Sequence, residues 1–278
     1  MRHNISILFS LIIIIFNSNL AFSGTLKEIE KKKLLKVCAF SDRLPFSSRD
    51  NKLKGFQIEL AEEIAKELKV DLDITWLKFR FHARKAGCDI MMEASTRKNS
   101  NKNKDIDGVK PLTKAADTEK VILPPTVSIP FFKMETYLVG NEKIIYEKKT
   151  LKDIKDLNIG VMRGTWSHMQ MQKYRINHRT KFRTEAELIE GLNNKEVDAI
   201  FISSVQYWWF KKNNPMSKLI AIQDFNFKRD VTLNIGILLR GADDLTIQRI
   251  NLILENLLEN KSIENIYKSY GIKYVAPS

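Results

Sequence analysis

The sequence has no apolar run long enough to cross a membrane. Its longest, Ile5 to Phe16, holds about a dozen residues where a spanning helix needs ~20. Cysteine is nearly absent, with only Cys38 and Cys88. Neither lies near the N-terminus, which argues against a lipid-anchored lipoprotein. His82, His168 and His178 have no metal-ligand spacing, and there is no His-Glu-x-x-His, no Cys-x-x-Cys, no Gly-x-Ser-x-Gly elbow and no glycine-rich phosphate loop. The interleaving of aromatic and basic residues used by single-strand binders is missing too. These absences point away from a metalloenzyme, a hydrolase, a nucleotide-dependent enzyme and a nucleic-acid binder. No cofactor is expected.

What is present begins with a processing signal. Arg2 and His3 precede the apolar stretch, which closes at Ala21-Phe22-Ser23 before Gly24. A basic start, a short apolar core and a small-x-small ending describe a secretory signal peptide over residues 1–23. The expected location is the periplasm, an oxidising compartment in which an even pair of cysteines favours a disulfide over two buried thiols. The net charge is +13, with a modest concentration of lysines between Arg97 and Lys120. Such a balance attracts anionic ligands or acidic surfaces, and it equally describes an ordinary solvated surface.

The periodicities predict an α/β protein. Leu34 to Phe40 reads as a buried strand, broken by Leu44-Pro45-Phe46-Ser47. Gly55 opens a helix with Phe56, Leu60, Ile64 and Leu68 on one face. Val70 to Trp76 and Cys88 to Met92 follow as strands, with a short helix at His82 to Lys85 between them, the signature of a parallel sheet covered on both faces. Residues Arg97 to Thr118 read as a surface loop. The pattern then repeats, with strands at Met134 to Gly140, Asn158 to Met162, Val197 to Ile202, Leu219 to Ile222 and Thr232 to Leu239. Helices are expected at Leu151 to Leu157, after a Thr184-x-x-Glu187 capping box, and at Leu245 to Leu258 and Ser262 to Tyr270. Two similar lobes result, the second inserted into the first, so the chain crosses between them twice.

The segments LLKVCAFSDRLPFS, GFQIELAEEIAKEL, AGCDIMM, VSIPFFKMETYLVG, LKDIKDLNIGVMRGT, EVDAIF and LNIGILLRGADDLTIQRIN, in that order and spacing, resemble the extracellular solute-binding proteins of family 3. These are periplasmic receptors of ABC importers for polar amino acids. The resemblance implies a type II periplasmic binding protein, in which two α/β lobes joined by two hinge crossings face each other across a ligand cleft. Lobe 1 would comprise residues 24–137 plus 234–278, and lobe 2 residues 138–233. It implies no enzymatic activity, a monomer, and two partners: a small polar solute and an inner-membrane permease. Cys38 with the Leu44-Pro45-Phe46-Ser47 loop and Gly87-Cys88-Asp89 is also similar to the J-type companions of periplasmic quinoprotein methanol dehydrogenases. Those proteins carry cysteines at both places, which makes a dehydrogenase the alternative partner and supports pairing of Cys38 with Cys88.

Ligands of open parallel sheets bind beyond the carboxyl ends of the strands, which nominates the loops after Phe40, Met92, Met162 and Ile202. Phe40 and Phe46 are candidate apolar walls. The resemblance adds Ser95 and Thr96 as hydroxyl donors, and places Thr118 and Lys120 where relatives carry a carboxylate-forking arginine, with Arg97 a second claimant. It matches Arg163-Gly164-Thr165-Trp166 to a loop presenting backbone N–H groups to an anion at a helix N-terminus. It puts Ser203 where amino-acid receptors carry the amine-binding acid. Asp198 is expected to be structural, and the aromatics of Gln206-Tyr207-Trp208-Trp209 to pack a helix.

Overall fold

The computed structural model describes residues 24–79, 82–83, 85–96, 125–228 and 231–278. The expected signal peptide, residues 1–23, and the lysine-rich stretch 97–118 lie outside them. After helix α1 (Leu26–Lys32) the chain forms β1 (Leu34–Phe40), the small hairpin of β2 (Asp42–Arg43) and β3 (Ser47–Ser48), and helix α2 (Phe56–Leu68). Then come β4 (Asp71–Leu77), β5 (Ile90–Thr96), β6 (Thr126–Val127) and β7 (Phe132–Met134). A middle section holds β8 (Thr136–Asn141), α3 (Glu142–Ile145), β9 (Ile159–Gly160), α4 (Trp166–Lys173), β10 (His178–Arg179), α5 (Glu185–Asn193), β11 (Ala199–Ser203), α6 (Ser204–Asn213) and β12 (Leu219–Ile222). The chain ends with β13 (Leu233–Leu239), α7 (Asp244–Glu259) and α8 (Ser262–Ser269).

Two main sheets result. One runs β4-β1-β5-β13-β6, with β7 also on β13, and the other β10-β9-β11-β8-β12. Within them β1 is parallel to β4 and β5, and β9 is parallel to β10 and β11. β13 and β8 run antiparallel to their neighbours. Each sheet is therefore mixed rather than wholly parallel, because β8 and β13 are the strands by which the chain arrives from the other sheet.

Alternation decides which face each residue covers. Leu35 and Val37 of β1 join Leu60, Ile64, Leu254 and Tyr267 in the main core, under α2, α7 and α8. Cys38, one residue on, points to the opposite face with Cys88, Met91 and Leu238. On α2 the expected stripe of Phe56, Leu60, Ile64 and Leu68 is buried throughout, each side chain contributing about 2 kcal/mol. The helix begins at Gly55, whose φ is 89° and where a Cβ would stand 2.5 Å from the Phe46 carbonyl oxygen. Only glycine fits that approach.

Several segments differ from expectation, among them the strand over Asn158 to Met162, which is confined to Ile159–Gly160. Met134 to Gly140 is not one strand, for it changes sheets at Glu135, between β7 and β8. Thr136 and Tyr137 consequently pair in the second sheet. Leu151 to Leu157 forms successive turns with no α-helix. Its amides bond three residues back, Asp153 N–H to Thr150 O and Leu157 N–H to Ile154 O. The Asp153 carboxylate meanwhile takes the N–H groups of Lys149 and Thr150, so a short polar side chain outcompetes the helical ladder. The strand expected over Cys88 to Met92 starts at Ile90 and runs on to Thr96, held by antiparallel pairing with β13.

An aspartate clips each sheet at the same point. Asp89 accepts the Lys36 N–H through its carboxylate at 2.9 Å and donates its own N–H to Lys36 O at 2.9 Å. Asp198 makes the same pair with Asn158, at 2.8 and 2.9 Å. Cys38 and Cys88 are bonded, with Cα atoms 5.6 Å apart, tying the start of β5 to β1.

Replacing both cysteines with serine should lower unfolding free energy by about 4 kcal/mol on the chain-entropy model. Denaturant unfolding of the variant measures this, and an unchanged midpoint would contradict it. Burial pushes the Asp89 carboxyl up to about 6 from 3.8, against the opposing Lys36 backbone bond and the charges of Lys32 and Lys36. A carboxyl raised on folding stabilises the native chain at low pH and gives up that contribution as pH rises from about 4 to about 6. Asp89→Asn keeps an acceptor for Lys36 and should remove up to ~3 kcal/mol of that slope. Parallel stability curves for variant and parent would contradict the shift.

Candidate functional site

β1 and β5 are parallel neighbours, so their carboxyl ends open on the same edge of the first sheet. Phe40 ends β1 half-buried, and Ser47 Oγ donates to its carbonyl at 2.8 Å. The following loop is fixed by α2, whose first amides donate to the carbonyls of Pro45 (2.9 Å) and Phe46 (3.0 Å). Phe46 is buried and packs on Phe56 with ring centroids 5.2 Å apart. It is part of the main core. Arg43 stands over both candidate phenylalanines, its guanidinium carbon 5.3 Å from the Phe40 centroid and 4.8 Å from that of Phe46. It forks onto Glu93 of β5, Nη1 at 2.7 Å and Nη2 at 3.4 Å. Ser95 is half-buried and pairs with Ile235, while Thr96 pairs with Asn234. Both lie in the strand rather than in a loop after it.

The second wall repeats this arrangement. β9 and β11 are parallel neighbours, so the loop from Arg163 to Thr165 after β9 and Ser203 at the end of β11 lie toward one edge. Arg163 is exposed, and Gly164 has a φ of +78°. Thr165 caps α4, accepting the His168 N–H at 3.3 Å and donating to Met162 O at 2.8 Å. The Gly164 N–H donates to His168 Nδ1 at 3.1 Å and the Thr165 N–H to Met162 O at 3.3 Å. The loop thus uses two of the expected amides internally, and α4 begins directly after it at half-buried Trp166. Burial, then His178 and Arg163, hold the His168 pKa below the usual histidine range.

Ser203 is buried and caps α6 by accepting the Gln206 N–H at 3.2 Å. Its hydroxyl and N–H both donate to Glu185, at 2.7 and 2.6 Å. A carboxylate therefore does stand at Ser203, contributed from the first residue of α5. Desolvation raises the Glu185 pKa against the two Ser203 bonds and the Arg43 charge, and Glu93 raises it further. Glu185 therefore feels the charges of Arg43 and of Glu93 from the first sheet. A cavity of about 10 Å³, with Phe46, Met92, Glu93, Val205 and Tyr267 in its lining, has room for one water at most.

Arg97, Thr118 and Lys120 lie outside the described residues. The expected packing role of the Gln206 to Trp209 stretch holds. Tyr207 meets Tyr137 edge-on at 5.9 Å and Trp209 faces Tyr270 at 6.0 Å. Arg43, Glu93 and Glu185 escaped the sequence reading. Glu185 reads there as an ordinary first-turn acid, eighteen residues from the serine that holds it. Arg43 is a polar residue in a loop, its partner fifty residues away. Among the described residues no three metal-binding side chains gather, and no helix is long and apolar enough to cross a membrane.

Comparison with known proteins matches this architecture. A model of the bacterial extracellular solute-binding proteins, family 3, fits residues 35–273. The chain belongs to that family. A probable histidine-binding protein of Neisseria gonorrhoeae is 25% identical over 250 residues, 87% of this chain and 84% of that one. Among solved structures, an ancestral cationic amino acid solute-binding protein superposes with a TM-score of 0.65 at 18% identity, covering 88% of this chain and 99% of that chain. ArgBP from T. maritima gives 0.63 at 21%, covering 88% and 98%. The fold of this family 3 protein is accordingly that of a type II periplasmic binding protein.

Ser203→Ala removes the α6 cap and one of two donors to Glu185. The expected loss is about 2 kcal/mol of stability, read from denaturant unfolding. A change below a few tenths would show that the serine does not hold the acid.

Proposed function

We propose that this family 3 protein is the periplasmic solute receptor of an ABC importer, taking a small polar or anionic, amino-acid-like solute between its lobes by hinge closure, with no chemistry of its own. The observation that carries the reading is the pair of opposed walls at the strand ends, with Arg43 and Glu93 set against Glu185 on Ser203. An α-amino acid needs one anchor of each sign. Glu185 suits the ammonium group, while Arg163 and the first turn of α4 suit the carboxylate through charge and helix dipole. Ser95, Thr96 and, from outside the described residues, Thr118 with Lys120 or Arg97 add polar contacts in this reading, and Phe40 and Phe46 add apolar walls. Membership of the family and relatives described as binding histidine or cationic amino acids support the solute class.

Isothermal titration of the purified protein against amino acids, carboxylates and polyamines tests this. Binding of at least one amino-acid-like solute is expected, with Arg163→Ala weakening it about tenfold or more, the scale of one charge-assisted contact, while the fold is kept. No binding by any of these solutes would overturn the reading. A second reading, companion to a periplasmic quinoprotein dehydrogenase, draws on the Cys38–Cys88 bond, which joins the two places where such companions carry cysteine. Pull-down from periplasmic extract would recover a dehydrogenase if it holds, and none if it fails.

A further inference from the structure

The Arg43 environment has the chemistry of a guanidinium-binding site. A carboxylate forks onto the guanidinium through two hydrogen bonds, of 2.7 and 3.4 Å, and two aromatic rings face it at 4.8 and 5.3 Å. Planar bidentate pairing combined with cation–π contact is how proteins select arginine-like cations over other ligands. Here the cation belongs to the chain itself. It is carried by the short β2–β3 hairpin, in which the Phe46 N–H donates to Arg43 O at 2.8 Å, so the side chain starts a few residues from the walls it occupies. Its side chain keeps 42% of its accessibility and that of Glu93 only 18%. The arginine thus lies over the carboxylate at the mouth, and the acid is the recessed partner. An exposed pair of this kind contributes little to stability, roughly 0–1 kcal/mol. Stability alone therefore gives no reason for an arginine at this point on the strand-end edge.

We propose that Arg43 is a tethered occupant of a cation subsite formed by Glu93, Phe40 and Phe46, and that it sets specificity by barring solutes with a cationic side chain. The inference rests on the receptor reading above and names the ligand class which that site refuses. A solute entering the cleft meets a guanidinium where a lysine-, arginine- or histidine-like side chain would otherwise seat. Like charge and occupied volume both act against such a solute, and neutral or acidic ones are left. Removing the side chain vacates the rings and exposes the carboxylate, so an external guanidinium takes its place.

The test uses the full mature protein and two probes, L-arginine and agmatine. Agmatine lacks the α-carboxylate and reports on the cation subsite alone. By titration calorimetry Arg43→Ala should bind both probes roughly tenfold or more tightly than the parent, the scale of a charge-assisted pair. Arg43→Lys should stay closed to them, and Arg43→Ala with Glu93→Gln should lose the gain. Arg43→Gln offers the same comparison if the alanine variant does not fold. Parent affinity for arginine equal to that of the variants, or no gain in either variant, would overturn the proposal. These outcomes concern the ratio between variant and parent. Failure of the receptor reading shows separately, as a parent that binds no solute at all.

Discussion

A single residue, Glu135, separates the last strand of one sheet from the first strand of the other, and the geometry of the cleft depends on how it is held. Its N–H donates to Ser204 Oγ at 3.2 Å and its carbonyl accepts the Ser204 N–H at 2.8 Å. Ser204 begins α6, directly after the Ser203 that grips Glu185. The crossing and the half-buried Glu185 are therefore fixed to one another through two adjacent serines. The same helix reaches across, with Val205 buried in the first lobe's core, Trp209 packed against it and the Lys212 ammonium bonded to Ser269 O. These contacts pack α6 against both sheets at the crossing.

Charge has a local logic that the net value of +13 does not convey. Acids stand at the strand ends of both sheets, and each has a defined partner. Glu93 meets a guanidinium and Glu185 meets a serine hydroxyl and amide. The aspartates at the starts of β5 and β11 do separate work, clipping neighbouring strands by reciprocal bonds to Lys36 and Asn158. Desolvation is the largest cause of the raised pKa of Asp89 and Glu185 alike, although one lies beside β5 and the other begins α5.

The strands and the long helices were legible because their signals are local. Leu34 to Phe40 matches β1 residue for residue, and the four-residue spacing of Phe56 to Leu68 matches α2. Half of the Thr184–Glu187 box is formed: Thr184 Oγ1 accepts the Glu187 N–H at 3.1 Å, while the Glu187 carboxylate takes the Arg183 N–H rather than that of Thr184. The expected strand stops at Ile202, whereas β11 runs to Ser203, which holds an acid contributed from α5. That acid, and the Arg43–Glu93 pair, come from distant segments whose meeting depends on sheet order and on the hairpin that turns Arg43 over the phenylalanines. Pattern alone carries no record of such meetings. The turns over Leu151 to Leu157 failed for a different reason: an apolar spacing suited to a helix is overruled by the hydrogen bonds of one aspartate.

The central claim is that two lobes, tied at Glu135, close over a small solute. Small-angle X-ray scattering of the mature protein, with and without a saturating mixture of the common L-amino acids, measures that directly. A smaller radius of gyration in the presence of the mixture is the result this account predicts. Superimposable scattering curves at every concentration would contradict it.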